Sequence, residues 1–310
     1  MKVVALNSWR AELLRLNAWA ATGRSGLPDV RGSAQGRGSQ LCDDQSLLVA
    51  RRAASLDRLG RGCLAWDDWA HATLDLRRRM RDDPKDAKLW DDLAGVDFSR
   101  VTFDTSDFSA FIFPGRADFS GARFEKDGWF NGAQFCLGAD FREAVFASDA
   151  YFERAGFSGD TRFDRATWTR SAQFRLSSFK GQASFLKARF ERDAWFRGSR
   201  FEAAVSFAGA TFVGEAGFGD CEYGGACDFS SARFRDNAGF DRACFSGSVE
   251  FSDARFEKKA WFPGSRFNGQ ASFERTHFAG KMDFTDVSVP ARSPVAERIA
   301  HLKVELGLDG

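Results

Sequence analysis

Residues 149–159 read Asp-Ala-Tyr-Phe-Glu-Arg-Ala-Gly-Phe-Ser-Gly, and this eleven-residue unit recurs with small changes through residues 95–289. Each unit holds two aromatic positions. From Phe113 to Val289 these positions are separated alternately by six and five residues, without exception. Of the 36 aromatic positions, 33 hold Phe, and only Phe111 of the 34 phenylalanines lies outside the pattern. Such a fixed period indicates a repeat protein rather than a compact enzyme domain.

A small residue precedes most aromatic positions by two, as Ala150 precedes Phe152 and Ala155 precedes Phe157. Residues two apart lie on the same side of an extended strand, so we expect both to point inward. The eleventh position is often Gly. Since an extra corner residue often has positive φ, the sequence predicts positive φ at these glycines, namely residues 159, 181, 214, 225, 247, 269 and 280.

The Ala and Phe positions of this unit resemble the pentapeptide repeat family, A-x-[L/F]-x-x, in its Phe-centred form. That resemblance implies a mainly β fold, a right-handed quadrilateral β-helix with four pentapeptides per coil. The sixth residue in alternate units gives coils of about 22 residues, about nine coils in all, with two bulged corners each. Residues 122–130, 188–196 and 254–262 are near copies of one another, and the interval between successive copies equals three such coils. An amphipathic helix with an 11-residue hydrophobic period is the alternative explanation of the repeat. The recurring Gly and the scarcity of Leu argue against it.

The two ends of the chain lack the repeat. We therefore divide the chain into four segments. Residues 1–43 are predicted to hold a short helix at 9–21 and a disordered stretch rich in Gly, Ser and Arg. Residues 44–94 are predicted to be a helical N-terminal cap, with helices at 44–59 and 63–80. Trp66, Trp69, Thr73, Leu76 and Met80 share one face of the second helix. The β-helix then occupies 95–289, and a C-terminal helix at 290–310 either caps the last coil or pairs with a second copy in a homodimer.

Composition gives no overall preference for a charged partner. The 44 basic and 43 acidic residues give a formal net charge of +1, and so no global attraction to nucleic acid or anionic membranes. No apolar run reaches the length that a membrane span needs. The six cysteines lack paired spacing, which favours reduced thiols and a cytoplasmic location.

The sequence holds no recognisable catalytic, metal or cofactor motif. Its three histidines fall in three different segments, and Cys221 and Cys227 occupy inward small-residue positions, where a structural role is expected. Asp and Glu alternate with Arg at outward positions, as on a solvated surface. We therefore expect a non-enzymatic protein without a cofactor or bound metal.

Two surface patterns are candidates for binding. Stacking each coil on the one before places Trp129, Tyr151, Gln173, Trp195, Gly217, Gly239 and Trp261 in one outward row, named here the aromatic row. Its aromatic members, Trp129, Tyr151, Trp195 and Trp261, are the candidate interaction strip. Duplication alone, or a terminal segment covering the row, would also explain the pattern.

The second pattern is a concentration of positive charge along the solenoid axis. Residues 162–200 carry ten basic and three acidic residues. The ten, named here the basic belt, are Arg162, Arg165, Arg170, Arg175, Lys180, Lys187, Arg189, Arg192, Arg197 and Arg200. Such a belt could hold a phosphate backbone, although ordinary alternating surface charge also accounts for it.

These patterns favour a scaffold that binds another macromolecule, most simply a protein, through its flat faces. The resemblance implies an alternative, since functional members of the family mimic DNA and bind DNA gyrase. That mechanism needs a continuous acidic rod, whereas the repeats here hold 25 basic and 27 acidic residues. Nucleic-acid binding through the basic belt ranks third.

Overall fold

The computed structural model describes residues 44–80, 87, 90, 91 and 94–289, which form two compact units. The first unit takes in the described residues up to Phe98 together with Phe111–Asp118. The second takes in Ser99–Ala110 and the described chain from Phe119 onward. The helix expected at 9–21, the Gly/Ser/Arg-rich stretch and the C-terminal helix at 290–310 lie outside the described residues.

Two helices of the first unit lie wholly within the described residues, α1 at Asp44–Gly60 and α2 at Cys63–Arg79. Both agree with the predicted ranges, and the predicted apolar face of α2 is buried, including Trp66, Trp69 and Leu76. Three two-residue strands complete the unit: Val96–Asp97, Ile112–Phe113 and Ala117–Asp118. The first and third of these strands pair in parallel.

Trp66 joins α2 to the strand residues of the same unit. Its ring lies 6.1 Å from that of Phe98 and 5.4 Å from that of Phe113, measured between centroids, and its indole N–H donates to the carbonyl of Ile112 at 2.8 Å. Phe111, the one phenylalanine outside the repeat pattern, lies 5.3 Å from the same indole. Its position off the pattern is therefore explained by contact with the helix.

The second unit is a parallel β-solenoid of two-residue strands arranged in four sheets, named here A to D. Within this unit sheet A consists of Ala139–Asp140, Thr161–Arg162, Ala183–Ser184, Val205–Ser206, Cys227–Asp228, Val249–Glu250 and Ala271–Ser272. Sheet D consists of Gln134–Phe135, Gly156–Phe157, Ser178–Phe179, Arg200–Phe201, Glu222–Tyr223, Cys244–Phe245 and Arg266–Phe267.

The other two sheets lie wholly within the second unit and have nine strands each. Sheet B consists of Thr102–Phe103, Arg123–Phe124, Val145–Phe146, Thr167–Trp168, Arg189–Phe190, Thr211–Phe212, Arg233–Phe234, Arg255–Phe256 and His277–Phe278. Sheet C consists of Ser106–Asp107, Gly128–Trp129, Ala150–Tyr151, Ala172–Gln173, Ala194–Trp195, Ala216–Gly217, Ala238–Gly239, Ala260–Trp261 and Met282–Asp283.

Neighbouring strands are one coil apart in sequence. Phe190 pairs with Phe212, and Ala194 pairs with Ala216, at the interval that the repeat predicts for one coil. The unit therefore makes about nine turns, which confirms the predicted mainly β solenoid and the predicted coil length.

None of the helices among the described residues is long and apolar enough to cross a membrane.

The interior consists of aromatic rings stacked along four columns, one behind each sheet. Rings in successive coils lie 4.4–5.4 Å apart and nearly parallel, as Phe163 does with Phe185 at 4.8 Å and 6°. Rings behind sheets A and C meet edge to face, as Phe163 does with Phe174 at 5.4 Å and 86°. Burial of each ring contributes about 1.5–3 kcal/mol and offset or edge contacts about 0.5–1.5 more, so the core is built from repeated neighbour contacts.

Corners of the five-residue kind are turns with a left-handed residue. The N–H of Ala166 donates to the carbonyl of Phe163 at 3.0 Å, and Arg165 between them has φ of 57°. The same conformation recurs every eleven residues at the equivalent position, as at Arg154 and Leu176, and the occupant is usually not Gly. The repeat therefore accepts a conformation that L-residues disfavour by roughly 1–2 kcal/mol.

The prediction of positive φ at the eleventh-position glycines is wrong. None of these seven glycines has positive φ; they lie at the six-residue corners, where backbones of adjacent coils approach closely. A Cβ built on Gly247 would lie 2.4 Å from the carbonyl oxygen of Gly225, one coil earlier, and one on Gly269 would lie 2.2 Å from that of Gly247. The absence of a side chain, rather than conformational freedom, is what these corners require.

Candidate interaction surface

The aromatic row lies on sheet C in the register that the sequence predicts. Trp129 pairs with Tyr151, Tyr151 with Gln173, and Gln173 with Trp195. The row continues through Gly217 and Gly239 to Trp261. Each member points away from the core because the Ala or Gly before it and the Phe after it are the inward residues of the strand.

The beginning of the row is a pair of stacked rings. Trp129 and Tyr151 lie 4.1 Å apart between centroids at an interplanar angle of 9°, and Trp129 is 37% exposed. An open groove lined by Thr105, Asp107, Lys126 and other residues of the first coils adjoins Trp129. Burial, with the negative charges of Asp149, Asp127 and Glu153, raises the pKa of Tyr151.

Each of the two later tryptophans is accompanied by a cation from this chain. The guanidinium carbon of Arg175 lies 5.5 Å from the ring centroid of Trp195, and the ammonium of Lys259 lies 5.6 Å from that of Trp261. Both distances are within the range of a cation–π contact.

Between these two tryptophans the row has no side chains, because Gly217 and Gly239 occupy two successive coils. The resulting cavity, named here the notch, has a volume of about 140 Å³ and is lined by Trp195, Trp261 and both glycines. A Cβ on Gly217 would lie 2.5 Å from the Trp195 ring, so this indole leans over the first glycine. Gly239 has no heavy atom that close: its Cβ would be 3.6 Å from Asp241 and 3.9 Å from Trp261.

Charged residues border the notch on both sides. Glu215 lines one side, and the Asn237 amide donates to its carboxylate at 2.9 Å. On the other side Arg197 lies 2.6 Å from Asp220 and 3.8 Å from Asp241. Hydrogen bonding from Arg242 holds the pKa of Asp220 below its usual value.

The basic belt does not form one face of the solenoid. Among its strand residues, Arg162 lies on sheet A, Arg189 on sheet B and Arg200 on sheet D, and the other seven lie outside the strands. Five of the ten form ion pairs, including Arg165 with Glu143 and Arg200 with Glu222. Coils stack along the axis, but each coil distributes its cations around all sides, so the concentration in sequence does not become a patch.

The candidate chemical groups belong to different elements of the described chain. Cys221 and Cys227 are buried, and burial raises the pKa of Cys221 to about 12. His71 lies in α2 and His277 in the ninth strand of sheet B, while His301 lies outside the described residues. Within the described part of the chain no group of three or more His, Cys, Asp or Glu side chains could hold a metal ion.

The notch itself was not predicted from the sequence. The aromatic row includes both glycines, but the pattern alone does not show that a cavity forms between the flanking tryptophans. The available signal was two glycines in successive coils, bounded by tryptophans. The lean of Trp195 over Gly217 depends on rotamer and packing, which spacing alone does not supply.

The geometry defines this molecule as a parallel β-solenoid repeat protein with an aromatic-stacked core. Residues 163–211, 188–233 and 229–277 match a family model described as pentapeptide repeats (9 copies). The repeats within residues 163–277 therefore match the pentapeptide repeats that the resemblance implied. Searches of curated proteins and of solved structures gave no match.

Proposed function

We propose that the chain is a non-catalytic scaffold that binds another protein through the outer face of sheet C. The observation that supports this most directly is the register of the aromatic row, which brings Trp129, Tyr151, Trp195 and Trp261 into one line on one sheet. Aligned aromatic side chains with partly exposed rings are typical anchors of protein interfaces.

The rigidity of the sheet supports the same function. Each row residue is flanked in its strand by buried neighbours, as Trp195 is by Ala194 and Phe196, which are fully buried. The backbone that carries the rings is therefore fixed before a partner arrives, which limits the ordering entropy lost on binding.

Site-specific photo-crosslinking tests the proposal in cells that naturally express the chain. Benzoyl-phenylalanine is placed at Gln173 in the aromatic row and, as a matched control, at Ser206, an outward residue of sheet A. We expect a protein adduct at position 173 that is absent at 206 and lost in the Trp195→Ala/Trp261→Ala variant. Equal adducts at both positions, or adducts that survive this double substitution, would contradict the proposal.

The DNA-mimic alternative ranks second. In the second unit the outward row of sheet A runs Asp140, Arg162, Ser184, Ser206, Asp228, Glu250 and Ser272, so its carboxylates are not continuous. A gyrase supercoiling assay tests it: inhibition of gyrase, or protection from quinolones, by the purified chain would favour the mimic. Nucleic-acid binding by the basic belt ranks third, and an affinity that falls steeply with salt would support it.

We further infer that the solenoid winds to the right, as parallel crossover connections nearly always do. The helical segment 44–94 is proposed to cap the first coil and the segment 290–310 the last, or to pair in a homodimer, leaving 95–289 as the repeat domain and 1–43 as a separate segment. The five described cysteines are unpaired, which supports a cytoplasmic location.

A further inference from the structure

The notch interrupts a row whose other members are large or polar side chains. In a filled part of the row, Trp129 and Tyr151 stack with centroids 4.1 Å apart. Two coils without side chains separate Trp195 from Trp261, at a rise of roughly 4.8 Å per coil. Since Trp195 leans into the space above Gly217, one layer of the stack remains open, above Gly239.

The open layer between the two indoles would fit a planar chemical group. Its cavity of about 140 Å³ is too small for a folded segment of a partner. A flat side chain lying over Gly239 would contact the indoles of Trp195 and Trp261 and replace the ring–ring contact that the glycines leave unmade.

The charged residues that line the notch favour one kind of planar group over others. Glu215 has no ion-pair partner among the residues that the structure describes, and its carboxylate borders the notch. Asp241 borders the other side, and the one basic residue in the lining, Arg197, lies 2.6 Å from Asp220. Asp241 also has basic partners, Arg242 at 2.9 Å and Arg197 at 3.8 Å, so Glu215 is the one carboxylate of the lining without an ion-pair partner among the described residues.

The tryptophans of the row also accept cations from this chain, as Arg175 over Trp195 and Lys259 over Trp261 demonstrate. A guanidinium combines the three requirements, because it is planar, positively charged and able to donate several hydrogen bonds to carboxylates at its edges. An ammonium lacks the planarity, and a neutral aromatic ring lacks the charge.

We propose that the notch binds an arginine side chain of the partner protein, stacked between Trp195 and Trp261 with its N–H groups directed to Glu215 and Asp241. This inference rests on the proposed function and identifies the anchor that the partner presents to the aromatic row. Arg is among the residues most often found at the energetic centre of interfaces.

The indole N–H signals of Trp195 and Trp261 in a ¹H–¹⁵N spectrum of the full chain test this directly. N-acetyl-arginine amide is titrated against the citrulline, lysine and tryptophan counterparts. We expect saturable shifts of both indoles with the arginine compound and binding at least about fivefold weaker with the other three, since charge and planarity are both needed. Equal or tighter binding of the citrulline, lysine or tryptophan compound, or no saturable shift with arginine, would overturn the assignment.

Two variants separate the notch from general surface effects. Glu215→Gln keeps an oxygen for the Asn237 amide but removes the charge, and we expect arginine binding to weaken about fivefold or more. Gly239→Gln fills the open layer with the side chain that the row already holds at Gln173, and should abolish binding. Thr211→Gln on sheet B is the matched control and should leave the affinity unchanged; a loss there, or retention in Gly239→Gln, contradicts the proposal.

The titration needs no partner protein, so the two proposals fail separately. Absence of arginine binding with row-dependent crosslinking intact would refute the notch ligand and leave the scaffold function standing. Arginine binding without row-dependent crosslinking would refute the protein-binding function and keep the notch as a guanidinium site.

Discussion

Trp129 and Tyr151, one coil apart in sequence, stack face to face on the outside of the solenoid with ring centroids 4.1 Å apart. The same coil-to-coil spacing governs the phenylalanines inside, where Phe130 and Phe152 lie 4.7 Å apart. One repeat therefore builds an aromatic column in the core and a second, shorter one on the surface. The first stabilises the fold, and the second is available to a partner.

Removal of the Trp129 ring should lower the pKa of Tyr151. Burial is the largest cause of its raised pKa, followed by Asp149, Asp127 and Glu153, and Trp129→Ala exposes the phenol to water. The chain has two tyrosines, and Tyr223 is fully buried, so absorbance near 295 nm in the native protein reports Tyr151. Trp261→Ala, distant along the row, is the control; an unchanged midpoint in Trp129→Ala would show that the rings do not stack.

Truncation of one core ring should destabilise the solenoid strongly. Phe174 is fully buried and stacks on Phe152 at 4.7 Å and Phe196 at 4.9 Å. Phe174→Ala is expected to lower the free energy of unfolding by about 3–5 kcal/mol, since it leaves a cavity in the column. Denaturant unfolding followed by circular dichroism measures this, with exposed Arg170→Ala as the control. A loss below about 1 kcal/mol would mean that the ring is not enclosed as described.

Substitution of two glycines by alanine should distinguish positions that need close approach of two backbones from positions that need a left-handed conformation. Gly132 has φ of 67° and nothing within 4 Å of its Cβ position, so Gly132→Ala should cost about 1–2 kcal/mol from conformation alone. Gly247 has no positive φ, but its Cβ would lie 2.4 Å from the Gly225 carbonyl oxygen. Gly247→Ala should therefore lower the melting temperature more than Gly132→Ala. A larger fall in melting temperature for Gly132→Ala than for Gly247→Ala would contradict close backbone approach as the reason for Gly at position 247.

Stability should decline in alkali partly because of Cys221. Burial raises the pKa of this thiol to about 12, whereas an unfolded Cys ionises near about 8.5. The unfolded state thus releases the proton first, so the contribution is complete below about pH 8.5 and is lost as pH rises toward 12. Cys221→Ala, matching Ala243 one coil later, should show a smaller fall in melting temperature between about pH 8 and pH 10. An identical fall in both proteins would contradict the shift.

The inward residues and the aromatic row could be predicted because both depend only on period. A constant coil length and the alternation of strand side chains suffice to place Trp129, Tyr151, Trp195 and Trp261 in one line, and the paired strands agree. The helix α2 of the first unit followed from the spacing of Trp66, Trp69 and Leu76 in the same way.

The corners and the notch could not be predicted because they depend on distances between coils. The sequence pattern marks Gly247 as special but does not distinguish positive φ from backbone approach, and the left-handed position, held by residues such as Arg165 and Leu176, has no constant residue type. The basic belt stays a prediction about height along the solenoid, since order along the chain does not fix the side on which a cation lies.

A cysteine pair placed one coil apart tests the central claim most directly. Ser184 and Ser206 are paired outward residues of sheet A, and parallel neighbours about 4.8 Å apart lie within the range that a disulfide spans. In Ser184→Cys/Ser206→Cys, mild oxidation followed by peptide mapping should give the 184–206 disulfide in high yield. Ser184→Cys/Gln173→Cys, half a coil apart and on different sheets, should give none. Formation of the 173–184 disulfide without the 184–206 disulfide would contradict the coil length on which the account depends.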